Sequence, residues 1–115
     1  EILPFRTASV DAVVCANSFH YYQHPVAVLM EFHRVLKPDG VLVLGDWCHD
    51  FFTCKVGQLA LRVAHRTGIH QYGLERCYGM EECAALLTAA GFQIEQARRF
   101  EIDWGWGVMI YRARA

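Results

Sequence analysis

Between residues 10 and 44, two short apolar runs flank one amphipathic segment, and this arrangement restricts the chain more than any other feature. The first run, Val10-Asp11-Ala12-Val13-Val14-Cys15-Ala16, is β-rich and nearly all apolar, which predicts a strand buried on both faces. Pro25 suits the first position of a helix. From there Val28, Leu29, Phe32, Val35 and Leu36 keep a helical period, while Glu31, Arg34 and Lys37 face away. Pro38 biases Lys37 out of helical geometry, and Pro38-Asp39-Gly40 predicts a tight turn into a second buried strand from Val41 to Leu44. Strand, helix and strand in so short a span predict a right-handed βαβ unit in a parallel sheet. Gly45-Asp46-Trp47 then falls at the carboxyl edge, where open α/β sheets bind ligands.

A second amphipathic helix is expected from about Cys54 to Thr67, with Val56, Leu59, Ala60, Val63 and Ala64 as its apolar stripe and Gly68 as its stop. Residues His70 to Tyr78 read as a loop. A third helix, about Met80 to Ala90, places Cys83, Leu86, Leu87 and Ala90 on one face and ends at Gly91. Phe92 to Trp104 reads as a strand, alternating at Phe100, Ile102 and Trp104, and Val108 to Tyr111 as another. Gly105-Trp106-Gly107 is too short for a helical crossover, so this last pair predicts an antiparallel hairpin. With no repeat or linker, the 115 residues read as one α/β unit.

At 54% hydrophobic and 20% charged, with a net charge of −1, the composition supports a packed core and excludes a disordered chain. It gives no basic surface for nucleic acid, and no apolar run approaches the length of a membrane span, so neither nucleic acid nor a membrane is expected as a partner. The five cysteines (Cys15, Cys48, Cys54, Cys77 and Cys83) are an odd number without a C-x-x-C pair, which reads as reduced thiols and a cytoplasmic setting.

The stretch "LPF…SVDAVVCANSFHYYQHPVAVLMEFHRVLKPDGVLVL" resembles the second half of class I S-adenosylmethionine-dependent methyltransferases of the small-molecule type. Val10-Asp11-Ala12-Val13 matches that family's strand motif and Arg34-Val35-Leu36-Lys37-Pro38-Asp39-Gly40 its turn, while "LLTAAGF" at 86–92 resembles its last helix. The resemblance implies a partial Rossmann-like methyltransferase fold, S-adenosyl-L-methionine as cofactor and a small-molecule acceptor. The family's glycine-rich cofactor loop has no counterpart here. Residues 1–115 are therefore expected to form the carboxyl-terminal part of a single methyltransferase domain, and in isolation to bind S-adenosylmethionine poorly. A non-catalytic α/β fragment, or an interaction module that binds no cofactor, is the competing expectation.

By the resemblance, Asn17, Ser18 and Phe19 line the methionine end of the cofactor, partly through backbone groups, while His20 and Tyr21 cap the space between cofactor and acceptor. Trp47 is assigned to the acceptor pocket and Phe51 and Phe52 to packing. Methyl transfer from a sulfonium chiefly requires donor and acceptor to be held in line. A general base is needed only where the acceptor must lose a proton, and His20, Asp46 and His49 have suitable chemistry. Cys48, His49, Asp50 and Cys54, with His65 or His70, do not form a recurring ligand spacing, so no metal is expected. Arg98 and Arg99 read as a solvated strand face.

Overall fold

The computed structural model describes residues 2–68, 77–103 and 105–115. Trp104, His70 and most of the loop expected before Tyr78 lie outside them. In order, the elements are β1 (Val10–Ala16), a single 3-10 turn (Phe19–Tyr21), α1 (Pro25–Val35), β2 (Leu36–Trp47), α2 (Phe52–Arg66), α3 (Met80–Ala89), β3 (Gln93–Glu101) and β4 (Gly107–Arg114). The strands form one sheet in the order β1-β2-β4-β3. β1 and β2 are parallel, and β4 runs antiparallel to both β2 and β3. The βαβ unit and the terminal hairpin are thus both present in one α/β sheet.

α1 begins with Pro25 at its first turn, where the missing N–H costs nothing, and leaves helical geometry at Leu36 (ψ 140°), ahead of Pro38. The expected tight turn lies inside β2 as a wide bulge. Leu36 pairs with Val10 and Val41 with Ala12, so residues 37–40 arch out opposite Asp11 alone. Asp39 takes φ 64° at the top of the arch. A Cβ on Gly40 would sit 2.8 Å from the Lys37 carbonyl oxygen, which explains the glycine.

β2 buries Leu42, Leu44 and Asp46 on one face, continued by Cys48 just past its end, and half-covers Val41, Val43, Gly45 and Trp47 on the other. The buried face meets Leu29, Phe32, Cys83, Leu87, Met109 and Tyr111 in the core. α3 follows its predicted face, with Cys83, Leu87 and Ala90 buried, and Gly91 at φ 94° ends it.

Two burial expectations are corrected. β1 is an edge strand of the described sheet, with Cys15 buried but Val14 72% exposed, because no layer covers its outer side. α2 forms as predicted, yet its stripe faces outward: Val56, Leu59 and Val63 are exposed. The helix docks instead through its small-residue side, Cys54 and Gly57. A Cβ at Gly57 would lie 2.8 Å from Trp106 Cη2, so the indole fits where only glycine leaves room. Phe100 on β3 and Ile102 just past its end are likewise exposed.

Candidate active site

Asn17, directly after β1, holds φ 50° and donates its N–H to the Gly45 carbonyl at 2.9 Å. That left-handed residue, a conformation asparagine tolerates better than most, swings the chain off the sheet edge. Asn17 stays exposed, Ser18 is half-buried beside Cys15 Sγ (3.4 Å), and Phe19 is buried against Tyr22 and Tyr78. Asn17 and Ser18 thus offer side chains at the edge, whereas Phe19 can offer only its backbone.

The turn places His20 against Asp46 at the end of β2. Both are buried, at 4% and 1% exposure. The Asp46 carboxylate accepts three hydrogen bonds: from the His20 N–H (2.9 Å), from His20 Nδ1 (2.7 Å) and from the Trp47 N–H (2.8 Å). A carboxylate only accepts, so Nδ1 carries a proton, and in the neutral imidazole Nε2 is then the acceptor. Among the described residues Nε2 is buried without a hydrogen-bond partner. The Tyr21 ring, itself 60% exposed, lies over the imidazole with centroids 4.0 Å apart.

Asp46 and Trp47 are successive strand residues and project to opposite faces. The Trp47 indole opens a cavity of about 530 Å³ whose walls include Trp106, Cys54, Gly57, Leu61 and Ile102. Its lining is almost wholly apolar, with Gln58 and Asp103 as polar exceptions. Trp47 and Trp106 meet edge to face at 6.0 Å. Cys77 completes the wall. Burial, with the nearby Asp46 charge adding to it, pushes its thiol up to about 11, so it remains protonated near neutrality.

His49 lies behind the Cys77 wall of that cavity, in a polar recess with Asp50, Gly79, Glu82 and Arg99. Its Nδ1 is 3.0 Å from the Cys77 carbonyl. Asp50 accepts the Met80 N–H at 3.0 Å and so caps α3. Arg99 approaches Asp50 and stacks over Phe51, which gives that arginine a packing role beyond a solvated face. Among the described residues no group of three or more His, Cys, Asp or Glu side chains is arranged to hold a metal.

The Met80 N–H holds the Asp50 carboxyl below its ordinary 3.8, helped by the Cys48 thiol and the charges of His49 and Arg99. A folded value below the unfolded one stabilises above the ordinary carboxylate range and is lost as pH falls through the folded value. Asp50→Asn is expected to lower stability at about pH 7. Urea melts of variant and parent should converge as the pH drops below that range.

A family model described as a methyltransferase domain matches residues 1–44. The chain is 35% identical over 71 residues to phthiotriol/phenolphthiotriol dimycocerosates methyltransferase of Mycobacterium leprae, covering 54% of this chain and 26% of that protein. It is 32% identical over 92 residues to the mitochondrial arginine-hydroxylase NDUFAF5 of Mus musculus, covering 80% and 27%. Among solved structures, a S-adenosylmethionine-dependent methyltransferase from Methanosarcina mazei superposes with a TM-score of 0.77 at 20% identity, over 97% of this chain and 62% of that one. The sheet order and the βαβ unit define a Rossmann-like methyltransferase fold. With the methyltransferase-domain match over residues 1–44, this fold supports a class I S-adenosylmethionine-dependent methyltransferase. It spans about a quarter of the length of these curated relatives.

Proposed function

We propose that this chain is the acceptor-side, carboxyl-terminal part of a methyltransferase domain that methylates a small, largely apolar molecule at a protic heteroatom. The observation that carries the reading is the carboxyl end of β2, where the buried His20–Asp46 pair, its Nε2 without a partner among the described residues, lies on one face and the apolar Trp47 cavity on the other. A buried imidazole nitrogen without a partner costs free energy unless a bound group satisfies it. The open edge of β1, followed by an apolar groove along Leu3, Phe5, Val13 and Phe32, supports further strands pairing there.

The residues present fit one wall of a cofactor site. Asn17 and Ser18 would hold the methionine end of S-adenosylmethionine through exposed polar groups. The positive-φ glycines, Gly68, Gly91 and Gly105, end helices or turn a hairpin and supply no cradle for it. The cofactor contributes an electrophilic methyl group; this chain contributes position and a proton acceptor. An acceptor whose apolar part rests against Trp47 and Trp106 and whose protic end reaches round the end of β2 would meet Nε2 of His20, which takes its proton, while Asp46 fixes the imidazole tautomer. Displacement of Tyr21 uncovers Nε2. The five free thiols support a reducing, cytoplasmic setting.

Labelled methyl transfer from S-adenosylmethionine by the full-length polypeptide, across a panel of hydroxylated apolar compounds, tests this reading. Labelled product that depends on His20 is expected. Neither cofactor binding nor transfer to any acceptor would favour the non-catalytic alternative. In the same assay Gly57→Val, which drives a side chain into Trp106, is expected to raise the acceptor KM at least about tenfold and leave cofactor affinity unchanged.

A further inference from the structure

We propose that α2 seats the protein on an anionic membrane surface, lying in the plane of the lipid headgroups with its outer face inserted. Phe52, Val56, Leu59 and Val63 are 78%, 49%, 64% and 56% exposed. Their spacing sets all four on one straight stripe of the helix. Lys55, Arg62 and Arg66 are exposed along one flank of that stripe, and no Asp or Glu occurs among the helix's 15 residues.

An apolar ridge with a purely cationic border complements a surface that is hydrocarbon within and negatively charged at its rim. Nucleic acid would meet the cations but leave the stripe in water. The helix is too short to span a bilayer, and among the described residues no helix is long and apolar enough to cross a membrane, so the seating is in-plane. The sequence expectation of no membrane partner rested on the length of apolar runs, a criterion that does not address a helix lying in the plane of the surface. The opposite face of α2, at Cys54, Gly57 and Leu61, lines the apolar cavity, so seating brings that cavity to the lipid surface. The proposal does not depend on methyl transfer.

Flotation of the full-length polypeptide with vesicles tests it, using phosphatidylcholine alone and phosphatidylcholine mixed with phosphatidylglycerol. Binding is expected with the anionic vesicles only, weakening about fivefold for each of Lys55→Glu, Arg62→Glu and Arg66→Glu. The pair Val56→Glu and Leu59→Glu should abolish it. In F52W the added indole should be quenched by brominated phosphatidylcholine in those vesicles, beyond any quenching of the parent. Equal flotation with both compositions, or none, overturns the proposal. So does an F52W emission already blue-shifted and indifferent to vesicles, the result expected if another part of the polypeptide covers the stripe.

Discussion

Asp46→Ala is expected to cost the fold about 3–5 kcal/mol, the scale for removing one partner of a buried, hydrogen-bonded polar pair. The substitution strands three donors at once: His20 Nδ1, the His20 N–H and the Trp47 N–H. None regains water without opening the end of β2, because His20 is sealed on the core side and Trp47 is held against Trp106. Asp46→Asn keeps an acceptor oxygen and should lose less. Urea denaturation of the two variants beside the parent checks the order. A loss under about 1 kcal/mol for Asp46→Ala would mean that the three contacts are replaced rather than broken.

The second large effect concerns chemistry. His20→Asn is expected to lower kcat about 10²–10⁴-fold, the usual contribution of a positioned general base, with little change in the acceptor KM. Asn keeps a polar group near Asp46 but cannot take a proton at the Nε2 position. In the proposed mechanism Asp46 acts through His20, as a positioning residue. Its Asn variant should therefore impair kcat in the same direction but less severely, and the double variant should cost little more than His20→Asn alone. If His20→Asn leaves kcat intact while raising KM, the imidazole only shapes the pocket.

Much of the fold was legible in the chain. Pro25 and Pro38 bracket α1, and the apolar runs around them read as strands because burial and β-branching coincide there. Less legible was which side of an amphipathic helix faces inward. In α2 periodicity located the stripe correctly but assigned it to the core, whereas the packing surface is the small side around Gly57. A glycine in the middle of a predicted helix was the available signal for close approach, here by Trp106. The bulge at 37–40 was read as a turn for a similar reason, since turn chemistry does not say whether strand pairing has already begun at Leu36.

The proposed site was legible in parts. His20, Asp46, Asn17 and Trp47 were proposed from their positions at strand ends, but nothing local marks His20 and Asp46 as partners across 26 residues. Cys54, Gly57, Leu61 and Cys77 were not singled out as cavity walls, because that cavity exists only once α2 and the β3–β4 hairpin meet. His49 shows the converse. Its chemistry suited a base, yet its fold position is a polar recess beside the cap of α3.

The central claim is that the carboxyl edge formed by Asn17, His20, Asp46 and Trp47 is where donor and acceptor meet. A crystal structure of the full-length polypeptide with S-adenosylhomocysteine and an acceptor identified by the labelling assay tests it most directly. The account predicts the cofactor's sulfur end beside Asn17 and Ser18, the acceptor between Trp47 and Trp106, and a hydrogen bond from the acceptor to Nε2 of His20 with Tyr21 displaced. Cofactor and acceptor bound away from this edge, with Tyr21 still covering His20, would contradict it.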